Sequence, residues 1–147
     1  MAAISTGQTD ALLTLGLVPA GATRDERGSL YPDYLRQAYP AAQAGFAATV
    51  DLGNRVTPDL EALAALRPDL ILVHRTVLKP GVLALLQRIA PTVVTRGTGA
   101  HWKADFVLLA DAVGRRDQAR AWLASFAADA RRAAGERPGV APQVSFV

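Results

Sequence analysis

At 147 residues the chain is long enough for one domain with a real core and too short for two ordinary ones. Half of its residues are hydrophobic and none is cysteine, which excludes a disordered chain, a disulfide framework and a thiolate metal site. A net charge of only +3, with the arginines scattered, argues against nucleic-acid binding, and no apolar stretch approaches the roughly 20 residues of a membrane span.

Taken in order, Ala2 to Ser5 is a short apolar run that predicts a first strand, and Thr6-Gly7-Gln8 a turn. A helix follows with Ala11, Leu12 and Leu15 inward and Gly16 as its left-handed C-terminal cap. Val18 to Thr23 reads as a second strand, with Pro19 tolerated near its start. Arg24 to Ala48 reads as a loop with one short helix, Tyr31 to Tyr39, and Thr49 to Leu52 as a brief strand ending at Gly53.

Thr57 to His74 carries the densest signals. Thr57 can cap a helix, Pro58 suits a first turn, and Asp59 and Glu61 favour the positive end of the helix dipole. Leu60, Leu63 and Ala64 give that helix an apolar face, and Pro68 ends it. Leu70 to Val73 is an unbroken apolar run, as in a strand buried on both faces of a parallel sheet.

The design then repeats. Val82, Leu85, Leu86 and Ile89 mark a helix from Pro80 to Ala90, and Thr92 to Thr95 the next strand. A loop with Gly97 and Gly99 leads to a helix facing inward through Phe106, Leu109, Ala110 and Val113, interrupted at Gly114. A long helix from Arg116 to Ala134 buries Ala119, Trp122, Leu123 and Phe126, and spans about 30 Å at about 1.5 Å per residue. Gly135 to Pro142 reads as a linker and Gln143 to Val147 as a last strand, the first element of a second domain. The fold class expected is α/β, a Rossmann-like lobe with a central parallel sheet flanked by helices.

Two stretches carry a family resemblance: A-I-S-T-G-Q-T-D-A-L-L-T-L-G-L-V-P-A-G near the start, and T-P-D-L-E-A-L-A-A-L-R-P-D-L-I-L about 50 residues later. They resemble the extracytoplasmic substrate-binding proteins of ferric-siderophore, haem and cobalamin ABC importers. G-R-R-D-Q-A at the start of the long helix looks like the family's rigid inter-lobe helix. The resemblance implies two α/β lobes with the ligand between them. Residues 1–113 would be the N-terminal lobe, 114–136 the inter-lobe helix, and 137–147 a linker and first strand of an otherwise missing second lobe. It further implies an extracytoplasmic, periplasmic or lipid-anchored protein whose export signal is absent from this chain. Its partners would be a ferric siderophore as transported ligand and the permease subunits, with no covalent cofactor, no resident metal and no enzymatic activity.

In an open parallel sheet, ligands bind beyond the carboxyl ends of the strands. The candidate contacts there are Thr6, Gln8, Arg24, Arg55, His74, Arg75 and Arg96. Arginine suits an anionic chelate because its planar fork keeps its charge and offers several donors. By resemblance Arg55 and His74 occupy ligand-facing positions where relatives often carry aromatic residues, so a small charged ligand is favoured over a flat hydrophobic one. Also by resemblance, Glu61 faces arginines of the permease; as a bare residue it is a helix-dipole glutamate. Trp102 and Trp122 read as core anchors. His74 and His101 are too few for a histidine metal cluster. Two other readings stay open. One is a nucleotide-binding or enzymatic domain, suggested by G-T-G-A-H-W, although Trp102 stands at the third glycine's place. The other is a stand-alone protein-interaction domain.

Overall fold

A strand covered on both faces needs apolar side chains without alternation, and Ile71–His74 forms one, β4, with all four residues buried. The computed structural model describes residues 1–97 and 99–135. In it β4 lies between β1 (Ala2–Ile4) and β5 (Thr92–Thr95). β2 (Gly21–Arg24) and β3 (Val50–Asn54) complete a five-stranded, all-parallel sheet of order β3-β2-β1-β4-β5. Register is set by apolar residues, with Ala3 opposite Leu72 and Ile4 opposite Val73.

Helices cover both faces. Ile71 and Val73 pack with Ala2, Ile4, Leu63 of α4 (Leu60–Leu66) and Leu86 of α5 (Val82–Ile89). Leu72 and Ala3 point the other way, onto Leu12 of α1 (Thr6–Thr14) and Leu109 of α6 (Trp102–Ala112). Each fully buried Leu or Ile here is worth about 1.5–3 kcal/mol. Behind α1, Leu13 meets Tyr31, Leu35 of α2 (Asp33–Ala38) and Phe46 of α3 (Gln43–Ala48), with the Tyr31 and Phe46 rings stacked at 4.0 Å. Finally α7 (Arg116–Gly135) lies on α6, joined to it through Ala119 beside Phe106 and Ala110. Among the described residues no helix is long and apolar enough to cross a membrane.

Several local expectations shift. The second strand begins at Gly21, not Val18, because it is paired on both sides and Pro19 has no amide to donate. A side chain at Gly21 would also collide with Leu66 Cδ2 at 2.6 Å. Thr6, Gly7 and Gln8 are the first turn of α1, not a turn before it. The segment from Arg24 to Ala48 holds two α-helices, with a 3-10 turn at Pro40–Ala42 between them, rather than one helix, since Phe46 gives the second an anchor. The cap of α4 is Asp59, not Thr57: its Oδ1 accepts the Ala62 N–H at 2.9 Å, while Pro58 still makes a strand-like bridge to Gly53. Ala64 is exposed, and Leu60 and Leu66 flank Leu63 instead. In α5 the inward line is Val82, Leu86, Ile89, and Leu85 turns outward at 43% exposure. The long helix starts at Arg116 as expected and takes in Gly135, read from the sequence as linker, but it does not bury Trp122 or Phe126, which are 39% and 41% exposed. The strand expected over Gln143 to Val147 lies outside the described residues.

Candidate ligand site at the carboxyl ends of the strands

The strand order reverses between β1 and β4, and the crevice outside their carboxyl ends is where open α/β sheets bind ligands. A buried chain of hydrogen bonds braces that end. The Ser5 N–H donates to Thr23 Oγ1 at 3.0 Å, and the Ser5 hydroxyl donates to Gln8 Oε1. Gln8 Nε2 then donates to Thr95 Oγ1 at 2.7 Å, whose hydroxyl faces the Val73 carbonyl at 3.4 Å. The chain thus links the tops of β2, β1, β5 and β4. Ser5 adopts φ 114°, ψ 154°, a backbone region that is essentially glycine's and costs of order 1–3 kcal/mol in other residues.

His74 ends β4 and is buried. Its Nδ1 accepts the Thr76 N–H at 3.2 Å and lies 2.6 Å from the Thr76 hydroxyl. Gly97 passes so close that a Cβ there would sit 3.0 Å from the imidazole Cε1 and Nε2. That loop is held by Asp105 of α6, whose carboxylate accepts the Arg96 N–H at 3.0 Å and the Gly97 N–H at 2.7 Å.

Arg24 ends β2, and Arg55, Arg75 and Arg96 directly follow β3, β4 and β5, but their states differ. Arg24 donates through Nε to Asp51 Oδ2 at 2.6 Å. That bond, with the attraction between the charges, raises the guanidinium pKa, and it holds the Asp51 carboxyl below its ordinary range. Arg55 is ion-paired with Glu26. Arg75 and Arg96 line one open depression together with Lys79, and among the described residues no ion pair holds any of the three. Thr6, Arg55 and His74 line a second depression on the other side of β4. Gln8 is 2% exposed and engaged in the buried chain. Glu61 is exposed in the first turn of α4.

A third hollow of about 270 Å³ lies between α1, α6 and α7 and reaches His74. Trp102, Phe106 and Trp122 wall it. Both tryptophans therefore line a cavity and are absent from the core, contrary to the sequence expectation. Sequence reasoning also missed Ser5, Thr95, Asp105 and Lys79. An aspartate early in a helix that follows a glycine loop was a signal available for Asp105; the other three carried none. The partial dinucleotide fingerprint follows β5, an edge strand, whereas that motif belongs to the first strand–helix turn.

Fold and rim together define an open-sheet α/β lobe with a crevice at its switch point. Residues 1–141 match the sequence profile of the periplasmic binding protein family. The probable siderophore-binding lipoprotein YfiY of Bacillus subtilis is 33% identical over 118 residues, which cover 80% of this chain and 34% of YfiY. The Fe(3+) dicitrate-binding periplasmic protein FecB of Escherichia coli is 27% identical over 117 residues, 78% of this chain and 36% of FecB. The crystal structure of SirA from Staphylococcus aureus aligns with a TM-score of 0.72 and 26% identity, over 85% of this chain and 42% of that one. The chain belongs to the periplasmic binding protein family. It spans about a third of the length of the curated relatives it matches.

Proposed function

We propose that this chain is the N-terminal lobe of a substrate-binding component of an iron-siderophore ABC importer, acting outside the cytoplasmic membrane. It captures an anionic ferric chelate and presents it to the permease, without covalent chemistry. The observation that carries the reading is the trio Arg75, Lys79 and Arg96, three cations that share one depression at the strand ends with no ion pair among the described residues. Cations in such a crevice attract an anionic ligand and meet its oxygens with charge-assisted hydrogen bonds. The names of relatives support the ligand class: YfiY is named for siderophore binding, FecB for ferric dicitrate, and SirA has a structure complexed with staphyloferrin B. Thr6, Arg55 and His74 extend the contact surface across β4, and Arg24 lies further along the rim in its pair with Asp51. In this reading α7 is the inter-lobe helix, and a second lobe closes over the crevice. Glu61, exposed on α4, contacts the permease.

Titration with ferric citrate and ferric staphyloferrin B, followed by calorimetry, tests the reading. Saturable binding is expected, with Arg75→Ala and Arg96→Ala each weakening it by about tenfold. Arg24→Ala should change affinity much less, because its charge is already paired with Asp51 through Nε and Nη2. Failure of every ferric chelate to bind would overturn the reading. In a two-lobed parent, Glu61→Ala should reduce transport and leave ligand affinity unchanged.

A further inference from the structure

The hollow between α1, α6 and α7 has a character opposite to that of the basic depression beside it. Its charged lining residues are two acids, Asp10 and Asp105, and neither lysine nor arginine lines it. Three rings form its wall: Phe106 and Trp122 meet at 5.4 Å and 68°, Trp102 and Trp122 at 6.3 Å and 81°. Asp105 is committed to the Arg96 and Gly97 amides. Asp10 accepts a hydrogen bond from Tyr34, and its Oδ1, shut off from solvent, is the one buried side-chain oxygen or nitrogen without a hydrogen-bond partner among the described residues. The outer side of the same ring cluster already attracts a cation, since Lys103 Nζ lies 5.5 Å from the Trp102 centroid and 5.8 Å from that of Phe126.

Aromatic faces beside a carboxylate are the chemistry that recognises alkylated ammonium groups, because the ring quadrupole and the anion both favour a bulky, weakly hydrated cation. An apolar hollow of about 150 Å³ already admits a benzene, so one of about 270 Å³ has room for a trimethylammonium head. We propose that this cavity is a subsite for an alkylammonium group, the cationic end of a ligand whose anionic part lies on the Arg75–Lys79–Arg96 rim. The inference rests on the proposed function and refines it: the ligand is a zwitterion. The loop held by Asp105 stands between the two regions, with Arg96 on the basic side and Gly97 lining the aromatic one. Burial raises the Asp10 pKa, and a bound cation would hold that carboxyl ionised.

The chain contains two tryptophans, and both line the cavity, so its two indole N–H resonances report on this site. We would titrate the full chain with choline at constant ionic strength, and in parallel with dimethylbutanol, the uncharged carbon isostere of choline. Saturable shifts of both indole signals are expected at millimolar choline, with the isostere binding about fivefold more weakly or worse. Asp10→Asn keeps the shape of the side chain and removes its charge, and Trp122→Leu alters a residue that is 39% exposed. Each should weaken choline by a similar factor, and Arg96→Ala should not. Equal binding of the isostere, an unaltered affinity in Asp10→Asn, or no saturable shift would overturn the subsite. Binding of ferric citrate without binding of choline sinks this proposal alone. Choline binding without any ferric chelate supports the cavity and sinks the rim reading.

Discussion

Gln8 and Thr95, at opposite ends of the lobe's sequence, are joined by a buried 2.7 Å hydrogen bond from the Gln8 amide to Oγ1. The bond fixes the first turn of α1 to the end of β5, across the top of β4, and so braces the strand-end rim. Gln8→Ala removes one partner from each of two buried hydroxyls, Ser5 and Thr95. A buried group left unsatisfied costs about 1–3 kcal/mol. We expect Gln8→Ala to lower stability by that amount in urea unfolding, with ligand affinity falling secondarily. Full stability with a lost affinity would make Gln8 a ligand contact instead.

Capping offers a clean comparison between neighbours. Asp59 accepts the Ala62 N–H at 2.9 Å and its own N–H donates to the Leu52 carbonyl, whereas Thr57 makes no side-chain cap to α4. Asp59→Ala should therefore cost about 1 kcal/mol, and Thr57→Ala should stay within about 0.5 kcal/mol of the parent. Denaturant midpoints of the two variants decide it, and the reverse order would restore Thr57 as the cap.

The same pair illustrates what the sequence could say. Thr57, Pro58 and Asp59 all favour a helix start, and the choice among them depends on a bridge to Gly53, a tertiary contact with no local signature. Strong periodic segments were legible: Ile71–Val73 as a doubly covered strand, Phe106–Leu109–Ala110 as an inward face, and the start of α7. The strand ends followed from those, so the rim carrying Arg24, Arg55, His74 and Arg96 was legible too. What escaped was the partner of each polar group. Glu26 and Asp51 claim two of the arginines from 29 and 27 positions away. Trp122 looked like core because its spacing on α7 is apolar, yet a helix that packs on one neighbour through Ala119 leaves that stripe half covered.

Gly97 is the tightest point of the site. It has φ +140°, a conformation that side chains rarely adopt, and its missing Cβ leaves the room that the His74 ring occupies. Gly97→Ala adds backbone strain and displaces the imidazole. The expected loss is about 1–3 kcal/mol of stability, with a shift of the His74 ring resonances that exposed glycine substitutions do not produce. Gly28→Ala, also at positive φ but with nothing within 4 Å, serves as the control: strained backbone, unmoved His74. An unchanged His74 spectrum in Gly97→Ala would refute the contact.

Asp10 gives the molecule a pH dependence whose direction can be worked out. Burial raises its pKa in the folded chain above the unfolded carboxylate value, opposed in part by a hydrogen bond from Tyr34. The folded state then holds this proton more tightly than the unfolded one. At neutral pH the ionised carboxylate weakens the fold; as pH falls through the raised folded value the proton is taken up and that penalty fades. It is gone once the unfolded value is also passed, because both states are then protonated. Asp10→Asn resembles the protonated form at every pH. The variant should therefore melt at a higher temperature than the parent at neutral pH, with the gap closing as pH drops toward the ordinary carboxylate range. Melting curves across that range test the sign, and a variant less stable than the parent at neutral pH would show that the Asp10 charge supports the fold.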